Sequence, residues 1–197
     1  MKAQSIDFWF SVGCPTTYLT VMRLPELART SGIAFRWRPF SACPLLPEQN
    51  TGPFAAYMWR DIERRAALYG LPARVPAPYP LQEFNLANRV AVLAAREGWC
   101  EHYVRATYRR WFQLGQEPGI EPNLSDSLRE ICQDPARIIT AAKSDKIGEA
   151  YLAATAEARA IGLFDAPSFV VGREVFCGDD RLEDAITWAR RGTLAPG

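Results

Sequence analysis

Ser11-Val12-Gly13-Cys14-Pro15-Thr16-Thr17-Tyr18-Leu19 joins two segments of different period. Before it, Ile6, Phe8, Phe10 and Val12 alternate with Ser5, Asp7, Trp9 and Ser11, the period of a strand. After it, Tyr18, Val21, Met22, Leu24 and Leu27 recur as on one face of a helix, and Ser31-Gly32 offers the stop. Cys14 therefore falls where a strand turns into a helix. Unpaired N–H groups and the positive end of the helix dipole favour negative charge at such a place. The expectation is a stabilised thiolate, titrating below the usual value of about 8.5.

Working outward, Ile33 to Phe40 alternates like a second strand, which makes the opening a β-α-β unit with a parallel pair. Pro44, Pro47 and Pro53 then take the chain out of regular structure. From Phe54 to Asp134 the pattern is helical, with segments Ala55 to Tyr69, Leu81 to Arg96, Cys100 to Gln113 and Leu124 to Cys132. A proline-rich link, Leu71 to Pro80, separates the first two, and Gly70, Gly98 and Gly115 supply helix stops. Asp134-Pro135 starts a short helix to Ala142, and an alanine-rich helix runs from Lys146 to Ile161. Ser168 to Val171, the turn Gly172-Arg173 and Glu174 to Phe176 read as a hairpin, followed by a helix from Arg181 to Arg191. The order β-α-β, helical block, α-β-β-α predicts an α/β domain formed by residues 1–45 and 140–197. An all-helical domain of residues 46–139 interrupts it.

The 197 residues are 48% hydrophobic with a formal charge of +1, so bulk charge points to neither nucleic acid nor a membrane surface. No apolar run reaches the roughly eighteen residues of a membrane span. Five cysteines (Cys14, Cys43, Cys100, Cys132 and Cys177) are an odd set without close pairs, which speaks against a disulfide framework and a zinc site. Reduced thiols and a cytoplasmic location are expected, and the N-terminal residues lack a signal-peptide pattern. The sole histidine, His102, stands beside Glu101 near a helix start, where a solvated side chain is expected rather than a base.

A set of short motifs runs nearly end to end. It comprises Asp7-Phe8-Trp9-Phe10 before an X-Pro turn, Trp37-Arg38-Pro39-Phe40, Tyr57 to Arg64 with Tyr69-Gly70-Leu71-Pro72, Gly162-Leu163-Phe164-Asp165-Ala166-Pro167-Ser168-Phe169, and Phe176-Cys177-Gly178-Asp179-Asp180-Arg181-Leu182. Together they resemble the branch of the DsbA-like thioredoxin superfamily that holds 2-hydroxychromene-2-carboxylate isomerases and kappa-class glutathione transferases. The resemblance implies a thioredoxin-like α/β fold with a large helical insertion. It also implies a cis peptide before Pro167, leaving the backbone of Ala166 free to pair with glutathione. Asp180 would meet the γ-glutamyl amine, with Asp179 and Arg181 beside it at a helix start. Asn50 and Asn85 fall near places where the family supplies polar contacts, although Asn85 and Arg89 are spaced differently from the family's pair.

One departure matters. The family that this chain resembles carries a serine, whose hydroxyl hydrogen-bonds the glutathione thiolate, where this chain has Cys14, and the resolving cysteine of Cys-X-X-Cys oxidoreductases is replaced by Thr17. The site is thus monothiol, and a dithiol redox cycle is disfavoured. The expected function is that of a glutathione-dependent isomerase or transferase acting on an aromatic or conjugated carbonyl compound, as a homodimer. Cys14 would poise the glutathione thiolate by a hydrogen bond or be the nucleophile itself. The alternatives are a monothiol disulfide oxidoreductase using Cys14 and a non-catalytic relative.

Overall fold

Phe8 sits at the centre of strand β1 (Ser5–Phe10) and shows why this strand is the middle of the molecule. Its ring lies between Trp37 of β2 (Ala34–Pro39), 5.0 Å away edge to face, and Phe169 of β3 (Ser168–Val171), stacked at 5.6 Å. The register explains the row, because Phe8 pairs with Trp37 in a parallel ladder and with Phe169 in an antiparallel one. Strand β4 (Glu174–Cys177) completes a mixed sheet of order β2-β1-β3-β4. The computed structural model describes residues 5–42 and 52–195.

Both faces of β1 are covered. Ile6, Phe8 and Phe10 are fully buried in one apolar cluster, whereas Trp9, on the other face, packs in a second cluster with Phe40, Ala158, Leu163 and Ala166. Helix α1 (Thr17–Ser31) inserts Tyr18, Val21 and Leu24 into the larger cluster and ends at Gly32, whose φ of +69° only glycine adopts without cost. The remaining helices are α2 (Gly52–Leu68), α3 (Phe84–Glu97), α4 (Cys100–Leu114), α5 (Asn123–Glu130), α6 (Pro135–Lys143), α7 (Asp145–Ala160) and α8 (Leu182–Arg191). Asp134 caps α6 by accepting a hydrogen bond from the Ala136 N–H at 2.9 Å, with Pro135 at the first helical position.

The insertion shares the core of the sheet. Ala87, Val90, Tyr108, Trp111 and Phe112 belong to the same buried cluster as Phe8 and Phe10. Helix α2 is the exception, burying only Ile62 and Ala66. Between α2 and α3 the chain forms a strap pinned to α4 and α1. The Arg74 N–H donates to Phe112 O at 2.7 Å, Trp111 Nε1 donates to Pro78 O at 2.8 Å, and the Tyr18 hydroxyl donates to Pro72 O. Helix α3 starts at Phe84 rather than at Leu81, and the Gln82 N–H just before it donates to the Glu117 carboxylate.

Candidate active site

Cys14 lies in the turn after β1, three residues before the first residue of α1, and is partly buried. The peptide bond between Ala166 and Pro167 is cis, and the Cys14 Sγ donates to the Ala166 carbonyl oxygen at 2.7 Å. Thr16 Oγ1 stands 3.2 Å from the sulfur. The two stretches that the sequence places at opposite ends of the chain thus meet at the thiol.

The thiol is not a stabilised thiolate. Burial, and then the nearby Asp165 carboxylate, push Cys14 up from its usual value to about 11, against the opposing hydrogen bond from Thr16. The helix N-terminus is therefore outweighed by desolvation and by a like charge. Asp165 reaches solvent on one side, yet its packed surroundings raise its own carboxyl, a shift that the Ala166 N–H opposes. Tyr79 faces the same group of charges, and its phenol is raised first by burial and then by Cys14 and Asp165.

Both backbone polar groups of Ala166 have partners within the protein. Its carbonyl receives the Cys14 thiol and its N–H donates to Asp165 Oδ1 at 2.7 Å, so its backbone is not free. A ligand strand pairing there would take the N–H from Asp165 and share or take the carbonyl from Cys14. Pro167 is buried beneath this point, and its carbonyl accepts the Gly178 N–H at 2.8 Å, linking the cis turn to the 3₁₀ turn of Asp179–Arg181.

Of the acidic pair in that turn, only one faces outward. The Asp179 side chain is 3% exposed and is bound by Thr20 Oγ1 at 2.9 Å, Arg23 at 3.3 Å and Arg65 at 2.9 Å. Its carboxylate is committed inside the protein, which corrects the expectation that it stands beside Asp180 at a ligand. Asp180 is half exposed and pairs with Arg181 at 3.1 Å, while Arg181 also binds Asp184 at 3.0 Å. Asn85 is exposed on α3. Asn50 and Cys43 lie outside the described residues.

Cys177 faces Ser168 across the β3–β4 ladder and is a free thiol, as are Cys14, Cys100 and Cys132. Burial raises Cys177 and, more strongly, Cys100. Among the described residues, no three His, Cys, Asp or Glu side chains are grouped to hold a metal ion, and no helix is long and apolar enough to cross a membrane.

Residues that the sequence did not single out shape the thiol turn. Asn88 of α3 is fully buried, and its amide accepts from the Val12 N–H at 2.8 Å and donates to Val12 O at 2.8 Å. The Tyr108 hydroxyl is shared between Ser11 O at 2.9 Å and Cys14 O at 3.0 Å. The available signal was a lone amide among Ala87, Val90 and Ala91 on the apolar face of a helix, a position that demands a polar partner. A large groove, about 710 Å³, runs along β2 between Phe35 and Pro39, α3 and α7, and shares no lining residue with the Cys14 surroundings.

Comparison with known proteins agrees with this geometry. The model of the DSBA-like thioredoxin domain matches residues 5–186. A 2-hydroxychromene-2-carboxylate isomerase from Sphingobium xenophagum is 30% identical over 192 residues, covering 91% of this chain and 95% of that protein. A solved structure of a 2-hydroxychromene-2-carboxylate isomerase superposes with a TM-score of 0.80 at 25% identity, covering 95% of this chain and 97% of that one. The cytosolic disulfide reductase DsbM from Pseudomonas aeruginosa, solved with GSH, shares the fold at a TM-score of 0.64 and 17% identity, covering 94% and 96% of the two chains. The match over residues 5–186 and the 30% identical relative, with the cis proline and the interrupted sheet in agreement, place this chain in the DsbA-like thioredoxin family, as an isomerase of its 2-hydroxychromene-2-carboxylate isomerase branch.

Proposed function

We propose that the protein is a glutathione-dependent isomerase of 2-hydroxychromene-2-carboxylate or a closely related conjugated aromatic acid, in which Cys14 acts as a hydrogen-bond donor and not as the nucleophile. The observation that carries this reading is the Cys14 thiol itself. It keeps its proton up to about 11 and already donates it, to Ala166 O at 2.7 Å. A protonated thiol can play the donor part that the resemblance assigns to serine, whereas a nucleophile needs the thiolate. The names of the relatives support the substrate class.

The residues around Cys14 suit glutathione in their chemistry. Ala166 offers one carbonyl and one N–H for an extended backbone once the Cys14 thiol and the Asp165 carboxylate yield them. Asp180 offers a half-exposed carboxylate for an amine, beside the guanidinium of Arg181. Bound glutathione would supply a thiolate that adds to the conjugated bond, leaves it single for rotation, and departs again, so that nothing is consumed. The chain's own part is to hold that sulfur by the Cys14 S–H and to fix the orientation of both reactants. The partly buried rings of Trp59 and Tyr79, packed edge to face at 5.9 Å, offer an apolar wall for an aromatic acid. The homodimer implied by the resemblance and the cytoplasmic location expected from the cysteine pattern belong to this reading.

The test is calorimetric glutathione binding under reducing conditions together with turnover of the wild type and Cys14→Ser. Micromolar binding and retained or increased activity in Cys14→Ser are expected. Loss of activity in Cys14→Ser, with no reversible binding and a Cys14 mixed disulfide after exposure to oxidised glutathione, would overturn the proposal in favour of thiol exchange.

A further inference from the structure

The turn that carries Cys14 is held at every residue by the helical insertion. Ser11 O and Cys14 O both accept the buried Tyr108 hydroxyl. Val12 exchanges two hydrogen bonds with the Asn88 amide, in the manner of a strand neighbour, at a point where β1 has already left the sheet. Gly13 has φ +123°, and a Cβ built there would lie 2.6 Å from Phe84 Cδ2 and 3.3 Å from Leu81 Cδ1. The Asn88 amide is also anchored to its own helix, donating to Phe84 O at 2.9 Å. It is thereby a rigid link between the first turn of α3 and the residue two before the thiol.

We propose that Asn88 is a positioning residue for the active-site thiol: by clamping both backbone polar groups of Val12 it holds the turn so that the Cys14 sulfur points at the Ala166 carbonyl. Tyr108 acts on the same turn from α4, sharing one hydroxyl proton between two carbonyls, and so fixes the turn's ends where Asn88 fixes its middle. The thiol's protonated, inward state is then a property imposed by α3 and α4 and not by the strand-turn-helix alone. The inference goes beyond the proposed reaction and does not require glutathione, so its failure would leave that reading standing.

The experiment measures the rate of Cys14 alkylation by iodoacetamide, by peptide mass, from about pH 7.5 to 10.5, in the wild type, Asn88→Ala and Asn88→Asp. Asn123→Ala is the control: Asn123 is also fully buried and makes three hydrogen bonds, but only within the helical block, to Thr107 O, Gln116 O and Ser127 Oγ. Release of the turn should move the Cys14 profile towards an ordinary thiol. Alkylation near pH 8.5 should then rise about tenfold in the Asn88 variants, because the thiolate fraction rises as the thiol pKa falls. The Asn123 variant should lose melting temperature and keep the wild-type profile. An Asn88 variant that melts lower yet alkylates as the wild type does would overturn the inference and leave Asn88 a purely structural amide. Asn88→Asp keeps the shape and the acceptor for the Val12 N–H while losing the donor to Val12 O, so it gives the reading if Asn88→Ala does not fold. Tyr108→Phe should shift the profile in the same direction.

Discussion

The guanidinium of Arg65 on α2 meets the buried carboxylate of Asp179 at 2.9 Å. Arg23 of α1 approaches the same carboxylate at 3.3 Å and lies 3.7 Å above the ring of Tyr69. Helix α2 buries only Ile62 and Ala66 and packs Met58 and Trp59 partly against the core, so this charge cluster is one of its ties to the sheet-bearing half. Asp179→Ala would leave Arg65 without its carboxylate and Arg23 with only the exposed Glu183. Because both arginines are partly exposed and can turn to water, a loss of about 2–3 kcal/mol is expected in urea denaturation, below the full cost of breaking a buried pair. Asp179→Asn should cost less, since it keeps an oxygen for Thr20 and one guanidinium.

The raised thiol of Cys14 has a defined effect on stability. Its folded pKa of about 11 exceeds that of a free thiol, taken here as 9.0, so the folded state holds the proton more tightly than the unfolded chain. The contribution is fully present below pH 9 and is lost as the pH rises through about 11. Relative to Cys14→Ser, the wild type should lose about 2–3 kcal/mol over that window, as read from paired denaturation curves. Taking the difference removes tyrosines remote from Cys14, such as Tyr151, whereas Tyr79 and Tyr108, which the Cys14 charge raises, stay coupled to it and belong to the measured window.

Gly13 has no room for a side chain. Gly13→Ala combines a φ of +123° with a methyl placed 2.6 Å from Phe84 Cδ2, so a loss of about 2 kcal/mol or more is expected. In a double-mutant cycle, Gly13→Ala with Phe84→Ala should cost less than the sum of the two, because the steric share disappears while the backbone share stays. Additive costs would show that the ring moves aside freely.

Asp180 offers a test of the ligand-facing side of the 3₁₀ turn. Its carboxylate is half exposed, so Asp180→Asn should leave the melting temperature within a degree or so, as surface changes do. Under the proposed function it should weaken glutathione about tenfold, the size of one lost charge-assisted hydrogen bond, measured by calorimetry. Unchanged affinity would remove Asp180 from the glutathione site.

The fold could be read from local periods because its determinants are local. Alternation marks Ile6 to Phe10, helical spacing follows Tyr18, and turn residues separate the strands of the final hairpin. The cis proline came from the resemblance and is present at Pro167. What was missed depends on distant partners. The Asn88 clamp spans 76 residues, and nothing near Val12 announces it. Asp179 and Asp180 are adjacent and chemically alike, and only the packing of Arg23 and Arg65 decides that the first turns inward. The thiolate expectation failed for the same reason. A helix start is visible in sequence, but the burial and the Asp165 charge that outweigh it come from residues distant in the chain.

The hydrogen bond from Cys14 to Ala166 spans 152 residues, more than three quarters of the chain. The ribosome makes the protein from its N-terminus, so the sulfur emerges early and the carbonyl that receives its proton comes late. Until then Cys14 is an ordinary thiol on a nascent chain, open to oxidation or alkylation. Masking of its reactivity is therefore a late event in biosynthesis, and a ribosome stalled before residue 166 should carry a thiol that still reacts at neutral pH.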